Sequence, residues 1–193
     1  MDIPPPAAGE ELSTSLALVN TRFRLPGGPY EGLAHPSAAR AWLTGHGLAP
    51  AGPTLDSAQT ARLRELRETL RALFGARIGG TAADPGQVAA VNAVLAGCPP
   101  LRLLDWGAGE PVRVLRPGPS QPLEHALALL AEDGIGLLTG EHAGKLAACG
   151  TPGCTRLMLR SHAARRWCST RCGNRIRAVR HAAAKSMRKP THQ

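Results

Sequence analysis

Apolar residues recur at helical spacing through most of the first 146 positions. Leu63, Leu66, Leu70, Leu73 and Phe74 stand three or four apart with arginines and glutamates between them, so this stretch reads as an amphipathic helix, capped by Asp56 or Ser57. A shorter helix is expected over 37–45, after Pro36, with Trp42 and Leu43. Asp84-Pro85-Gly86-Gln87 has the form of a capping box with proline in the first helical position. It opens a helix that carries Val88, Val91 and Val94 or Leu95 and stops before Gly97. The stretches 101–106 and 111–115 flank Gly107-Ala108-Gly109 and read as a strand pair. Helix returns over 122–138, weakened at Gly134 and Gly136. No internal repeat and no low-complexity tract beyond Pro4-Pro5-Pro6 interrupts this part.

The pattern changes at Cys149. Arg156-Leu157-Met158-Leu159-Arg160 reads as a strand, 161–164 as a turn, and Arg165-Arg166-Trp167-Cys168 as the returning segment. Ser169 is a good N-cap for a helix running to about Met187. At about 100° per residue, Cys172, Ile176, Val179, Ala183 and Met187 share one side of that helix. Asn174, Arg177, His181, Lys185 and Arg188 share the other, with Arg175 and Arg180 on the flanks. The expected fold is α+β and mainly α: a helical domain over 1–146 with a short β-hairpin, then a small unit over 147–193. A chain ending near Gly144 is expected to fold by itself.

Of the 193 residues 43% are hydrophobic but only 3% aromatic, so the core is built from Leu, Val and Ala, and base-stacking platforms are disfavoured. Gly and Pro, 22 and 17, imply many turns. No apolar run approaches a membrane span, and 1–9 lacks the apolar core of a secretory signal, so a cytoplasmic protein without membrane contact is expected. The net charge of +9 is unevenly placed. Positions 149–193 hold 11 Lys and Arg and no acid, whereas 1–148 holds 12 basic and 14 acidic residues. Such a block marks a surface for phosphate or an anionic membrane, or else a solvated tail.

Within that block fall four of the five cysteines, as Cys149-x4-Cys154-x13-Cys168-x3-Cys172. In a reducing compartment two close pairs favour a tetrahedral four-thiolate zinc site over two disulfides. Cys149-Gly150-Thr151-Pro152-Gly153-Cys154 has the glycines and proline of a tight knuckle, and Cys172 falls in the first helical turn, where the helix end favours thiolate. Knuckle, hairpin and helix describe a treble-clef-like finger with one structural Zn2+. Four thiolates leave the cluster at a formal charge of about −2, so part of the charge on Arg165, Arg166 and Arg171 serves to neutralise it. His162, His181 and His192 are surplus to a filled tetrahedron, Gly173 suggests close backbone approach beside the metal, and Cys98 reads as a buried apolar residue at a helix end.

Arg165-Arg166-Trp167-Cys168-Ser169 followed by Cys172-Gly173-Asn174-Arg175 resembles the signature of the CGNR zinc finger, with Trp167, Gly173 and Asn174 as motif residues. The resemblance implies a zinc-binding finger that contacts double-stranded DNA. Two positions depart from the pattern: Leu159-Arg160 stands where an acid is common, and Arg177 where a lysine is common. The expected DNA contacts are Arg165, Arg166, Arg175, Arg177, Arg180, His181, Lys185 and Arg188. Upstream, Ser15-Leu16-Ala17-Leu18-Val19-Asn20-Thr21-Arg22 resembles the start of the ABATE domain, which usually precedes this finger. That resemblance implies a stress-response transcription regulator whose N-terminal domain senses a small-molecule effector or forms a homodimer. Asn20, Thr21 and Arg22 are then candidates to line a ligand pocket, against the plainer reading that an Asn-Thr pair ends a strand or caps a helix.

Catalytic patterns are lacking. The sequence has no GxSxG, HExxH, phosphate loop or Cys-His nucleophile context, and a closed four-cysteine site leaves no open metal position. Glu10 and Glu11, like Glu65 and Glu68, read as ordinary surface acids. A regulator that binds duplex DNA is therefore expected, with an adaptor for protein or RNA carrying a purely structural finger as the alternative, and an enzyme third.

Overall fold

The structure is a computed structural model and describes residues 5–25, 28–48, 55–98, 101–106, 109–116 and 122–187. Its elements in chain order are α1 (Thr14–Val19), β1 (Arg22–Leu25), β2 (Gly28–Glu31), α2 (Pro36–Gly45), α3 (Ser57–Gly79), α4 (Pro85–Gly97), β3 (Leu101–Asp105), β4 (Val112–Arg116), α5 (Pro122–Thr139), β5 (Leu146–Ala148), β6 (Leu157–Leu159) and α6 (Thr170–Met187). A single 3-10 turn, Ala143–Lys145, precedes β5. The described strands form three separate antiparallel pairs, β1-β2, β3-β4 and β5-β6.

Helix α3 is the central element because its apolar stripe is continuous: Leu63, Leu66, Leu70, Leu73 and Phe74 are all buried. Its start is fixed by a capping box in which the Asp56 carboxylate accepts the Gln59 amide and the Gln59 side chain accepts the Asp56 amide. Leu16, Leu18 and Val19 of α1 and Leu123, Leu127 and Leu130 of α5 complete the core with it. Gly134 is where α5 needs no side chain: a Cβ there would lie 2.6 Å from Leu70 Cδ2. The glycine that weakens the isolated helix thus admits the close crossing of α3 and α5.

Several expectations are corrected. Asp84 does accept the Gln87 amide at 3.1 Å with Pro85 in the first position, but Val91 is the only residue of α4 that is buried; Val88 is exposed. The apolar opening run is a short helix, α1, followed by a hairpin, β1-β2, that the apolar pattern did not announce. In the C-terminal part, β6 pairs backwards with β5, in the register Leu146 to Leu159, and 165–168 forms no strand. The hairpin of the finger therefore has the first cysteine pair at its turn, and the returning segment only touches it, through the Gly150 amide donating to the Arg166 carbonyl at 2.8 Å.

That hairpin is not a separate lobe. Leu146, Leu157 and Leu159 are buried in the same core as α1, α3 and α5. Among the described residues no helix is long and apolar enough to cross a membrane.

Candidate metal centre and its helix

The turn of the β5-β6 hairpin carries Cys149 and Cys154, and the segment before α6 with its first turn carries Cys168 and Cys172. Gly153, at φ 75°, supplies the left-handed residue that lets the knuckle close. The Cys149 amide donates to the Arg156 carbonyl at 2.9 Å, closing the hairpin at the base of the knuckle. Ser169 caps α6 as expected from its type: its hydroxyl accepts the Cys172 amide at 3.5 Å and its carbonyl the Gly173 amide at 3.2 Å.

The four sulfurs lie within 4.8 Å of one another and all four residues are buried. Cys154 Sγ is 3.9 Å from Cys168 Sγ, and Cys168 Sγ is 3.6 Å from Cys172 Sγ. Zinc with thiolates at ~2.3 Å makes a tetrahedron whose edges are about 3.8 Å, so the donor set fits one such ion. None of the four is in a disulfide, and these separations far exceed a bond of ~2.05 Å. The Cys168 amide, donating to Cys149 Sγ at 3.4 Å, adds the backbone hydrogen bond that a thiolate ligand accepts.

Without a cation three of the thiols are pulled in opposite directions. Hydrogen bonds from Cys154 and Cys168 hold the Cys149 thiol far below its ordinary value, while the bond to Cys149 pushes Cys154 up to about 12 and Cys168 is raised as well. A divalent cation at the centre removes that conflict, because it stabilises every thiolate at once. Four cysteines, one tetrahedron and, among the described residues, no fifth donor make a structural Zn2+ site; the ion would hold the knuckle to α6. His162 and His181 are exposed and stand outside this donor set, and His192 lies outside the described residues.

The motif residues pack around this centre. Trp167 lies against the cysteine cluster, and Gly173 is where it meets the helix: a Cβ there would stand 3.3 Å from the Trp167 ring. The close approach expected at Gly173 is therefore with the indole. Asn174 is exposed and accepts a hydrogen bond from Arg177.

The cations divide into two groups. Arg175 is half-buried and donates to the Pro152 carbonyl at 3.2 Å, so it ties α6 to the knuckle. Arg165 is half-buried and reaches Ser161 at 3.5 Å. Arg166, Arg177, Arg180, His181 and Lys185 are exposed; Arg188 lies outside the described residues. Past its first turns α6 is uncovered on every side, from Arg177 to Lys185. Val179 is 60% exposed, so the apolar side expected for this helix is buried only near Cys172 and half-buried at Ile176.

Asn20 and Thr21 are engaged inside the fold. Asn20 donates to Glu10 at 2.7 Å and to the Leu157 carbonyl at 2.8 Å, and accepts the Leu157 amide at 2.9 Å. Thr21 donates to the Leu18 carbonyl at 2.7 Å and accepts from Arg67 at 3.1 Å. Both are buried and their polar groups are used inside the fold. Arg22 lines a charged cleft of about 670 Å³ shared with Glu31, Arg64 and Glu68.

Three ion pairs on two buried arginines escaped the reading of the sequence. Arg67, 2% exposed, pairs with Glu31 at 2.5 Å and with Glu68 at 2.8 Å. Arg156 pairs with Glu10 at 2.8 Å. Glu10 and Glu68 are thus structural partners rather than free surface acids. Residues 146 apart carry no local pattern that could have linked them.

The ABATE family model, described as "Putative stress-induced transcription regulator", matches residues 12–141, and the CGNR zinc finger model matches residues 145–185. No curated protein matches the chain. With most of its length inside the first match and all four metal-site cysteines inside the second, the chain belongs to the ABATE family and ends in a CGNR zinc finger.

Proposed function

We propose that this protein is a transcription regulator that binds double-stranded DNA through α6, and that the domain over 1–146 receives the signal that controls it, by binding a small effector or by forming a homodimer. The finger over 147–193 is the reader. The observation that carries this is the state of α6: its first turn carries Cys172 of the cysteine cluster, and in the turns beyond Arg177, Arg180, His181 and Lys185 are exposed with no acid among them. A helix fits the major groove, about 12 Å wide, and cations along it replace counterions at phosphates. Arg165 and Arg166, at the foot of the helix, extend the same basic surface, and the sequence adds Arg188, which lies outside the described residues. Arg175 contributes by holding the helix on the knuckle. The role is that of a cytoplasmic binding protein without catalysis, in keeping with the regulatory and zinc-finger families matched.

The charged cleft beside Arg22 supports an effector of small, polar chemistry. The exposure of Val179 favours a second reading, an adaptor whose helix meets a protein. DNA selection followed by footprinting on the zinc-loaded full chain separates the two. A protected sequence that disappears on chelation supports the regulator; binding to protein or RNA with no preferred duplex overturns it.

A further inference from the structure

We propose that residues 5–10 form a strap that completes the metal centre and limits the rate at which its ion exchanges. These residues precede both family matches, which begin at 12 and 145. The inference concerns the metal site alone and does not require that the protein bind DNA.

The strap lies on the cysteines. Ala7 is 1% exposed and packs in the same cluster as Cys149, Cys154, Cys168 and Cys172, with Ala8 beside it. The Ala8 amide donates to the carbonyl of Cys168 at 3.0 Å, and its carbonyl accepts the Leu159 amide at 2.8 Å. One residue of the strap is thus bonded both to a ligand residue of the second pair and to the hairpin that carries the first.

A latch holds it there. Arg156 follows the first cysteine pair, and its backbone carbonyl accepts the Cys149 amide. Its buried side chain reaches out of the knuckle to donate to the Pro5 carbonyl and to Glu10, each at 2.8 Å, so both ends of the strap are gripped by one guanidinium. Glu10 also accepts from Asn20, which binds Leu157 of the hairpin. Gly9 permits the path: at φ 93° it adopts a conformation that side chains disfavour, and a Cβ there would stand 2.5 Å from Leu159 Cβ. Water, chelator or oxidant approaching the thiolates from this side meets Ala7 and Ala8 first, so on this side the strap must lift before the sulfurs can be reached.

The test uses the zinc-loaded full chain. In the unaltered protein, hydrogen exchange at the Ala8 amide should be strongly slowed and should speed up when the metal is removed. Gly9→Ala should release zinc to 4-(2-pyridylazo)resorcinol at least about tenfold faster, with an unchanged tetrahedral thiolate spectrum after cobalt substitution. Leu12→Ala, at an exposed position just beyond the strap, should leave the rate unchanged. A folded Gly9→Ala protein that releases zinc within twofold of the parent rate overturns the proposal. So does an Ala8 amide that exchanges like a free peptide in the zinc-loaded protein, a measurement that decides alone if Gly9→Ala does not fold.

Discussion

The side chain of Asn20 pairs with both backbone groups of Leu157, donating to the carbonyl at 2.8 Å and accepting the amide at 2.9 Å, as a neighbouring strand would. The end of α1 is thereby joined to β6, the strand that follows the first cysteine pair. Replacing Asn20 by Ala leaves two buried backbone groups without this partner, each worth about 1–3 kcal/mol. Asn20→Ala is expected to lower stability by roughly 3 kcal/mol in denaturant unfolding of the zinc-loaded protein. An effect confined to effector binding, with stability intact, would return Asn20 to the role of a pocket residue.

Metal content should be one zinc per chain by elemental analysis. Changing any of Cys149, Cys154, Cys168 or Cys172 to Ser should abolish stoichiometric binding, since each supplies one of the four sulfurs. Each ligand must give up its proton, and without a cation the hydrogen bond with Cys149 holds that of Cys154 more tightly than in a free thiol. Acidification therefore opposes binding. Competition with a chelator should show the zinc affinity falling by about tenfold or more between pH 7.5 and 6.

The charge on Glu31 makes a second, separate dependence on pH. Burial raises its pKa, but the hydrogen bond from Arg67, the Leu33 amide and the fields of Arg67 and Arg64 together bring it below the ordinary 4.5. A lowered folded value means that the contribution is complete above pH 4.5 and is lost as pH falls through the folded value. Arg67→Met should remove part of this acid sensitivity. It should also cost about 3 kcal/mol at neutral pH, because it strips a partner from a partly buried carboxylate. Unfolding curves at pH 7 and pH 3.5 test both statements.

Cutting the chain after Gly144 removes Leu146, Leu157 and Leu159 from the core they share with α1, α3 and α5. A buried leucine contributes ~1.5–3 kcal/mol. The shortened chain should keep helical circular dichroism but unfold at clearly lower denaturant than the full chain, and bind an apolar dye. A truncated protein as stable as its parent would show that the N-terminal domain stands alone.

Arg177→Ala and Lys185→Ala should each flatten the logarithmic salt dependence of DNA affinity by about one unit if the side chain meets a phosphate. If it reads a base edge, the cost should fall on one base pair, at about 1–3 kcal/mol. Zinc content should stay full in both. Should the double variant bind with unchanged affinity and slope, α6 is a solvated helix and the reader lies elsewhere.

Local order was legible in the sequence wherever one element's own residues decide it. The stripe from Leu63 to Phe74, the caps at Asp56 and Ser169, and the paired cysteines each act over a few residues, so spacing and residue type reveal them. The four-sulfur site was equally plain, because metal coordination imposes short intervals in sequence within each pair. What only the tertiary structure decided are the relationships that cross the chain. β6 pairs with β5 rather than with 165–168, since burying Leu157 and Leu159 against the common core fixes its partner. Asn20 and Thr21 turn inward because buried backbone and guanidinium groups need partners there. Glu10, Arg156 and the strap over the cysteines have no periodicity to betray them: electrostatic and packing contacts depend on distance in space, which a linear pattern does not encode until the core has set it.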